Sequence, residues 1–588
     1  MGNPSGGSDR GHELVMMGIP GVQTFISEAQ STSDLANASD VIARVARTAV
    51  DAVQKAGGEL VIPASLRDDV PAPNRIVALV PEGRGRAVAE GAAAAVRERW
   101  DGWVRTVLGR DVEVPGFPEV MWSVAGPGDY PEQWQRAGRA LAARKRLRAF
   151  DAPEFAGRQP CPLAPRWPAE DAPEGVPQHM KKTRISAAGW VKRRWHALPG
   201  LPSSRSGGFP STASIASAPY RAELLGLEAD APRVGSAVER LREAAEAVTG
   251  AEYARVAREA PIPALAGDGA AGEDAGWAGW LARSGGVWVH PGTWQEDGLG
   301  RDFGFDGHRV DRGRVEAGRR AAEELSRLLG KKPTPYYALL TSDIDGMGDL
   351  LSEGEVSAER HREISARLQD FGAEQRRIIE KHGGVAVYTG GDDLFALLPA
   401  DSALQAAREC RDKVPPLAGH TPTASTAVLF AHQHRPLRPA VQEVQELLAD
   451  AKRVDGGSRK KDGLAVGVAT GSGRRVRTVR PWRGGAAVDA LKVFASHHGG
   501  DRVLSPGLLA DLQRDRAALE KLAASSLGGR VYAKEVDRLV RRHGGTSEEA
   551  EALVEMGRTE SERGDSGDGR LVPVEAARVA LFLRREAW

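Results

Sequence analysis

The sequence predicts an α+β multidomain protein made of two ferredoxin-like units with α-helical regions between and after them. Three observations predict it. At 588 residues the chain is too long for a single hydrophobic core. An order of strand, helix, strand, strand, helix, strand can be read twice along it, and this order packs two helices on one face of an antiparallel sheet. The remaining stretches show helical periodicity or none.

Residues 1–12 are rich in Gly, Ser and charge and read as a disordered tail. From residue 13, ELVMMGIPGVQTF is a short strand ending in a turn at Pro20 and Gly21, followed by an apolar-periodic helix to about residue 55. Gly57 and Gly58 stop that helix. ELVIP and RIVALV (75–80) are β-branched runs on either side of a Pro-rich loop, an Ala-rich helix covers 84–107, and VMWSVAG closes the unit. The first unit is therefore placed at 13–149. Residues 150–285 are first irregular and Pro-rich (PCPLAPRWPAEDAPEGVP), then basic, then helical over 220–258. In the second unit, 286–485, YYALLTSDID is a strand, 355–381 a charged amphipathic helix and VAVYTGGDDLFALLP a hairpin. A helix over 404–414, a strand in TPTASTAVLFAH, a helix over 439–453 and a strand in GLAVGVAT complete it. Residues 486–588 are mostly helical, interrupted at ERGDSGDG, and read as a separate α-helical domain.

Lys plus Arg number 80 against 79 Asp plus Glu, so no global basic field advertises nucleic acid and any such contact must be local. Two cysteines, Cys161 and Cys410, exclude a disulfide framework and a four-thiolate zinc site within this sequence, which fits a reducing cytoplasm. No apolar run is long enough to cross a bilayer, and MGNPSGGSDRGHE has no secretory pattern, so a soluble cytoplasmic protein without membrane contact is expected.

Chemistry is concentrated at two strand ends. Asp343 and Asp345 stand where YYALLTS runs out, in SDIDGMG, with Gly346 and Gly348 leaving room for a phosphate and the Ile344 carbonyl available as a further oxygen ligand. Alone, such a pair is most simply an Asx turn or a helix cap. In VAVYTGGDDLFALLP, Gly390 and Gly391 make a tight turn that holds Asp392 and Asp393 at its tip. The first and third strands of a ferredoxin-like sheet are antiparallel neighbours, so Asp343 and Asp392 are expected to meet. Converging carboxylates without a counter-charge raise each other's pKa, and their natural partner is a divalent cation. An oxygen-only ligand set favours Mg2+ or Mn2+ over zinc. Two such ions can bind a nucleoside triphosphate and lower the pKa of an attacking ribose hydroxyl, which is phosphoryl transfer by position and charge.

Lys452 ends the amphipathic helix VQEVQELLADAKR, with Arg459, Lys460 and Lys461 in the following loop. These charges can neutralise a triphosphate, or serve a helix carboxyl end and a solvated loop; residue type leaves both open. Ser425 is either a contact for the base or ribose or a packed strand serine.

These residues resemble the large subunit of type III CRISPR effector complexes, specifically the Cmr branch, a relative of polymerase palms and GGDEF cyclases. The resemblance is carried by GIPGVQTFISEAQSTSDL, PNRIVALVP, GWVKRRW (189–195), FPSTASIA (209–216), HPGTWQEDGL, SDIDGMG, YTGGDDLFALLP and ASTAVLFAH, from about residue 13 to 480. It implies two palm domains and an enzyme that converts ATP into cyclic oligoadenylate second messengers when a guide-RNA complex binds matching target RNA. Its partners would be the other subunits of that ribonucleoprotein, the guide RNA and the target RNA. By motif match Asp343, Asp392 and Asp393 would hold two Mg2+ or Mn2+ ions, with Asp345 a weaker candidate. Gly346, Gly390, Gly391, Ser425 and Lys452 would line the nucleotide. The first palm has Gly18, Ile19 and Pro20 where acids would be needed, so it would bind a second ATP or act as a scaffold without chemistry. No His-Asp dipeptide occurs, so the HD nuclease domain of many relatives is not expected, and Cys161 alone could be a remnant of their zinc module, so zinc is not expected either. Two rival readings remain. One is a catalytically silent scaffold subunit. The other is a diguanylate cyclase, disfavoured because the motif reads GGDDL, with Leu394 in place of the closing Phe of GGDEF enzymes, and because no sensor or receiver domain is read ahead of it.

Overall fold

In a computed structural model, residues 11–586 are described apart from 148–154, 177–179, 200–208, 254–275 (of which 262 and 265 are described), 296–297, 300–310, 455–460, 496–504, 525–527, 559–571 and a few single positions. Two sheets organise the chain. The first contains β1 (His12–Gly18), β2 (Glu59–Ile62), β3 (Arg75–Pro81) and β4 (Met121–Ala125) in the order β2-β3-β1-β4. The second contains β5 (Tyr336–Ile344), β6 (Val385–Thr389), β7 (Asp393–Pro399), β8 (Ala424–His432), β9 (Gly463–Ala469) and β10 (Arg475–Pro481) in the order β10-β9-β8-β5-β7-β6. Strands β1–β4 and β5–β8 thus share one arrangement, with the first strand antiparallel to both the third and the fourth. This is the ferredoxin-like topology in duplicate.

The helices follow their apolar spacing and their caps. Ser31 caps Thr32–Lys55 by accepting from the Asp34 N–H, and Ser357 caps Ala358–Lys381 through the Arg360 N–H. The single helix expected up to residue 55 is two helices, Val22–Ser27 and Thr32–Lys55, because the Ser31 cap restarts the turn. Several elements escaped the sequence reading or differ from it. Helix Tyr130–Arg146 covers the open face of the first sheet through Tyr130, Trp134, Ala137 and Leu141. Strand β10 adds an edge beside β9. Helix Arg312–Leu329 packs on helix Ala231–Tyr253 instead of on a sheet, so the second unit begins near Tyr336 and not at 286. The helix expected over 220–258 starts earlier, at Thr212, and breaks at Gly226.

The C-terminal helices do not form a core of their own. Val488, Leu491, Val579 and Leu583 share one cluster with Ala338, Phe430 and Val466 of the second sheet, so this region buries its apolar face on β5, β8 and β9. The segment FPSTASIA opens helix Thr212–Leu225. There Ser214 accepts the Gly286 N–H, and the buried Arg221 donates to the Leu281, Ser284 and Ser214 carbonyls. Those bonds fix the segment that leads into HPGTW, where Trp294 lies so close to Gly318 that no side chain would fit there.

The two sheets are joined through helix Ala358–Lys381. Arg362 donates to the Leu60 carbonyl and to Glu59, Gln369 donates to the Ser65 carbonyl, and Ser365 accepts the Ala64 N–H. His361, fully buried, meets the Tyr130 hydroxyl at 2.8 Å and packs on the Trp134 ring.

Candidate active site

The acidic residues are assembled by strand register. β5 is the central strand, apolar through YYALL and buried on both sides, and its polar end emerges between β7 and β8. There Asp343 lies directly across from Asp393 on β7 and from Ser425 on β8. Cross-strand partners have Cβ atoms about 5 Å apart, so two carboxylates share one small space. Asp392 joins them at the hairpin tip, where its carbonyl accepts the Ile344 N–H at 2.8 Å and the Gly390 N–H is bonded to the Asp393 carbonyl at 2.8 Å. The turn requires its glycines. Gly391 has φ 93, and a side chain there would strike the Leu368 carbonyl of the packed helix, while one on Gly390 would strike the Asp393 carboxylate.

The charges are crowded. Burial and the Asp343 charge raise the Asp392 pKa, with Arg75 opposing the shift. Burial, then Asp392 and Asp343, push Asp393 up to about 8, with Lys452 opposing. The Tyr388 phenol is raised well above its usual value by burial and by the same three carboxylates. Lys452 Nζ pairs with Asp343 Oδ2 at 2.7 Å. Among the described residues no basic side chain makes an ion pair with Asp392 or Asp393. The donor set therefore fits a hard divalent cation, which would relieve the repulsion that protonation otherwise relieves. Among the described residues no three His, Cys, Asp or Glu side chains already surround one point. Magnesium needs no such cage, because it takes one or two carboxylates and completes its shell with phosphate oxygens and water.

Two expected site residues have other duties. The Asp345 carboxylate is buried and accepts from Thr423 Oγ1 (2.8 Å), Ser425 Oγ (2.9 Å) and the Asp462 N–H (2.8 Å). Ser425 is fully buried and its hydroxyl is committed to Asp345 instead of to a base or ribose. Gly346 has φ 75 and opens the turn after Asp345. The Ile344 side chain is buried and its backbone runs between Asp392 and Ala424. Arg459 and Lys460 lie outside the described residues.

Sequence reasoning missed Arg75 and Tyr388. Arg75 opens β3 opposite Gly18, lies over the Trp134 ring at 5.0 Å and is felt electrostatically by Asp392. Its signal was available in the duplication, since it is the first residue of β3 as Asp393 is the first of β7.

Residues 336–465 match the family model described as Cas10/Cmr2, second palm domain. That segment of the chain is similar to a Cas10/Cmr2 second palm. It is also 31% identical over 182 residues to the CRISPR system Cmr subunit Cmr2 of Pyrococcus furiosus, a match spanning 26% of this chain and only 20% of that relative. Across 98% of its length the chain shares the fold of a chain in the cryo-EM structure of type III-B Cmr-beta bound to cognate target RNA, with a TM-score of 0.62, 15% identity and 83% of that chain covered. The apo state of Cmr-beta gives a TM-score of 0.60 at 14% identity, covering 98% of this chain and 82% of that one. Helix Ala358–Lys381, which joins the sheets, and the acidic strand ends thus both lie inside the segment that matches the Cas10/Cmr2 palm model. Among the described residues no helix is long and apolar enough to cross a membrane.

Proposed function

We propose that this chain is the large subunit of a type III CRISPR ribonucleoprotein and that its second palm joins ATP into cyclic oligoadenylates when the complex engages target RNA. The observation that carries the reading is the Asp343–Asp393 cross-strand pair with Asp392 beside it, an acidic cluster whose charges are mutually destabilising unless a cation is present. It lies in the segment that matches Cas10/Cmr2. Asp343, Asp392 and Asp393 would hold two Mg2+ or Mn2+ ions, with the Ile344 backbone beside them. Such ions, when bound, polarise the α-phosphate and lower the pKa of the attacking ribose hydroxyl. The residues of the chain do the rest. Gly390 and Gly391 fix the hairpin so that the acids keep their positions, Gly346 leaves space for phosphate, and Lys452 supplies positive charge beside Asp343. The partners are the other subunits of the complex, its guide RNA and the target RNA; ATP is the substrate.

The purified complex with guide, matching RNA, ATP and Mg2+ should release oligoadenylates, and Asp392→Ala with Asp393→Ala should abolish them. Absence of product from the unaltered protein, or an unchanged yield from the double variant, overturns the reading in favour of a silent scaffold. Guanylate dimers formed when ATP and GTP are offered together would instead identify a diguanylate cyclase.

A further inference from the structure

Arginines on the helices of this chain are commonly paired along the helix. Arg86 pairs with Glu90, Arg242 with Glu239, Arg319 with Glu316, Arg367 with Glu363, Arg516 with Glu520 and Arg538 with Glu535, each with an acid three or four residues away. The second half of helix Tyr130–Arg146 breaks this habit. From Gln133 onward it reads QWQRAGRALAARKR, with five cationic side chains and no acid. Arg139, Arg144 and Arg146 are exposed, and among the described residues none of the three makes an ion pair. Arg136 is exposed too and donates to the Gly126 carbonyl at 3.2 Å. The chain as a whole has a net charge of only +1, so this excess is local.

Helix geometry gathers the charges. Tyr130, Gln133, Trp134, Ala137 and Leu141 make the buried side. Arg136, Arg139 and Arg146 fall together on the opposite side, with exposed Ala142 and Ala143 between them. The row is about 15 Å long by the helical rise per residue. A preference for cations at a helix carboxyl end accounts for Arg144, Lys145 and Arg146, but it falls off within the last turn and does not reach Arg136 or Arg139. Leu147 follows directly and is 70% exposed, one of two large apolar side chains so exposed among the described residues. The row also has a direction. A side chain built on Gly18, at the end of β1, would stand 3.4 Å from Lys145 Cε, and Arg75 opposite Gly18 is felt by Asp392. The stripe therefore runs towards the strand ends where the acids stand.

We propose that the outer face of helix Tyr130–Arg146 binds the backbone of single-stranded RNA, with Arg136, Arg139 and Arg146 on phosphates and Leu147 against a base. The proposal rests on the reading of this chain as a subunit of an RNA-containing complex, and it adds a surface outside the acidic site. The planar guanidinium matches a phosphate with two parallel hydrogen bonds, and the small alanines let the strand lie close to the helix. A single strand fits better than a duplex, because its unstacked bases can reach an apolar side chain beside the phosphate track. An acidic polypeptide would meet the arginines but gives Leu147 no flat partner.

The test is fluorescence anisotropy of the full chain with an unstructured, mixed-sequence single-stranded RNA of about sixteen nucleotides, over a series of KCl concentrations and without nucleotide or divalent metal. Arg136→Gln, Arg139→Gln and Arg146→Gln together should weaken binding about tenfold or more and lower the slope of log K against log salt by about 2, at roughly 0.7 for each phosphate contact. The melting temperature should not change. Leu147→Ser should weaken binding to a smaller extent with the slope unchanged. Arg516→Gln with Arg538→Gln, which removes arginines that are already paired, should alter neither quantity. Unchanged affinity and slope in the triple variant overturn the proposal, and polyglutamate that displaces the RNA as well as unlabelled RNA does overturns it in favour of an acidic polypeptide. The nucleotide reading fails separately. The triple variant should bind a non-hydrolysable ATP analogue with Mn2+ as the unaltered chain does, and Asp392→Asn should leave RNA binding intact.

Discussion

The two ferredoxin-like units carry the same framework with opposite charge at the same place. In the second, the last pairs of the first and third strands bring together Asp343 and Asp393, and a lysine at the end of the helix after the fourth strand, Lys452, contacts the first acid. In the first, the corresponding pair is Gly18 and Arg75, and the helix after the fourth strand brings Lys145 against Gly18. The lysine is present in both units; the acids are present in one. Burial lowers the pKa of both Arg75 and Lys145, and Arg75 also works against the charge of Lys145. A divalent cation would meet carboxylates in the second unit and would be repelled in the first. The difference teaches that the fold supplies only positions at strand ends, and that the residues placed there decide whether the site can hold a metal.

The largest effect expected from breaking this contrast is loss of the acids. Asp392→Ala with Asp393→Ala should lower Mn2+-dependent nucleotide binding by more than about a hundredfold, while Gly18→Ala in the first unit should leave it unchanged, both read by titration. Next come the glycines themselves. Gly391→Ala forces a side chain into the Leu368 carbonyl at φ 93, and should cost about 2–4 kcal/mol in chemical denaturation. Gly18→Ala meets only the flexible end of Lys145, and should cost less than about 1 kcal/mol.

The pH dependence sharpens the contrast further. Asp393 is raised from 3.8 to about 8, and Asp392 is raised as well. Between those values the folded state holds protons that the unfolded chain has released. Stability from this site is therefore fully present below about pH 4 and is lost as pH rises towards 8. Melting curves of the metal-free protein should show Asp393→Asn flattening that fall, and saturating Mg2+ should flatten it too. A further small effect lies at the joint between the units. Burial lowers His361 to about 4, so it is neutral near pH 7, and its contribution is lost as pH falls from about 6.5 towards 4. Tyr130→Phe removes its hydroxyl partner and should cost about 1 kcal/mol, measurable by thermal denaturation at pH 7.

Much of this architecture was legible because β-branched runs such as RIVALV and ASTAVLFAH are buried strands, and apolar spacing such as VQEVQELLADA gives a helix. Strand β10 was not read, because RVRTVRP is short, carries three arginines and ends in proline at the edge of the sheet, which leaves little apolar signal. Helix Tyr130–Arg146 was missed because its buried stripe is short and much of its surface is charged. In the candidate site, the positions of Asp343, Asp392 and Asp393 followed from topology alone. The duties of Asp345 and Ser425 did not, since they depend on Asp462, 117 residues away, and on the register of β5 with β8. Side-chain saturation of that kind leaves no local mark in a sequence.

Asp343, Asp392 and Asp393 together would hold divalent cations against a nucleotide. Crystals grown with Mn2+ and a non-hydrolysable ATP analogue, measured at the manganese absorption edge, test it most directly. Two anomalous peaks bounded by these three carboxylates, with the triphosphate across them, are predicted. A nucleotide bound elsewhere, or manganese coordinated without any of the three, would contradict the account.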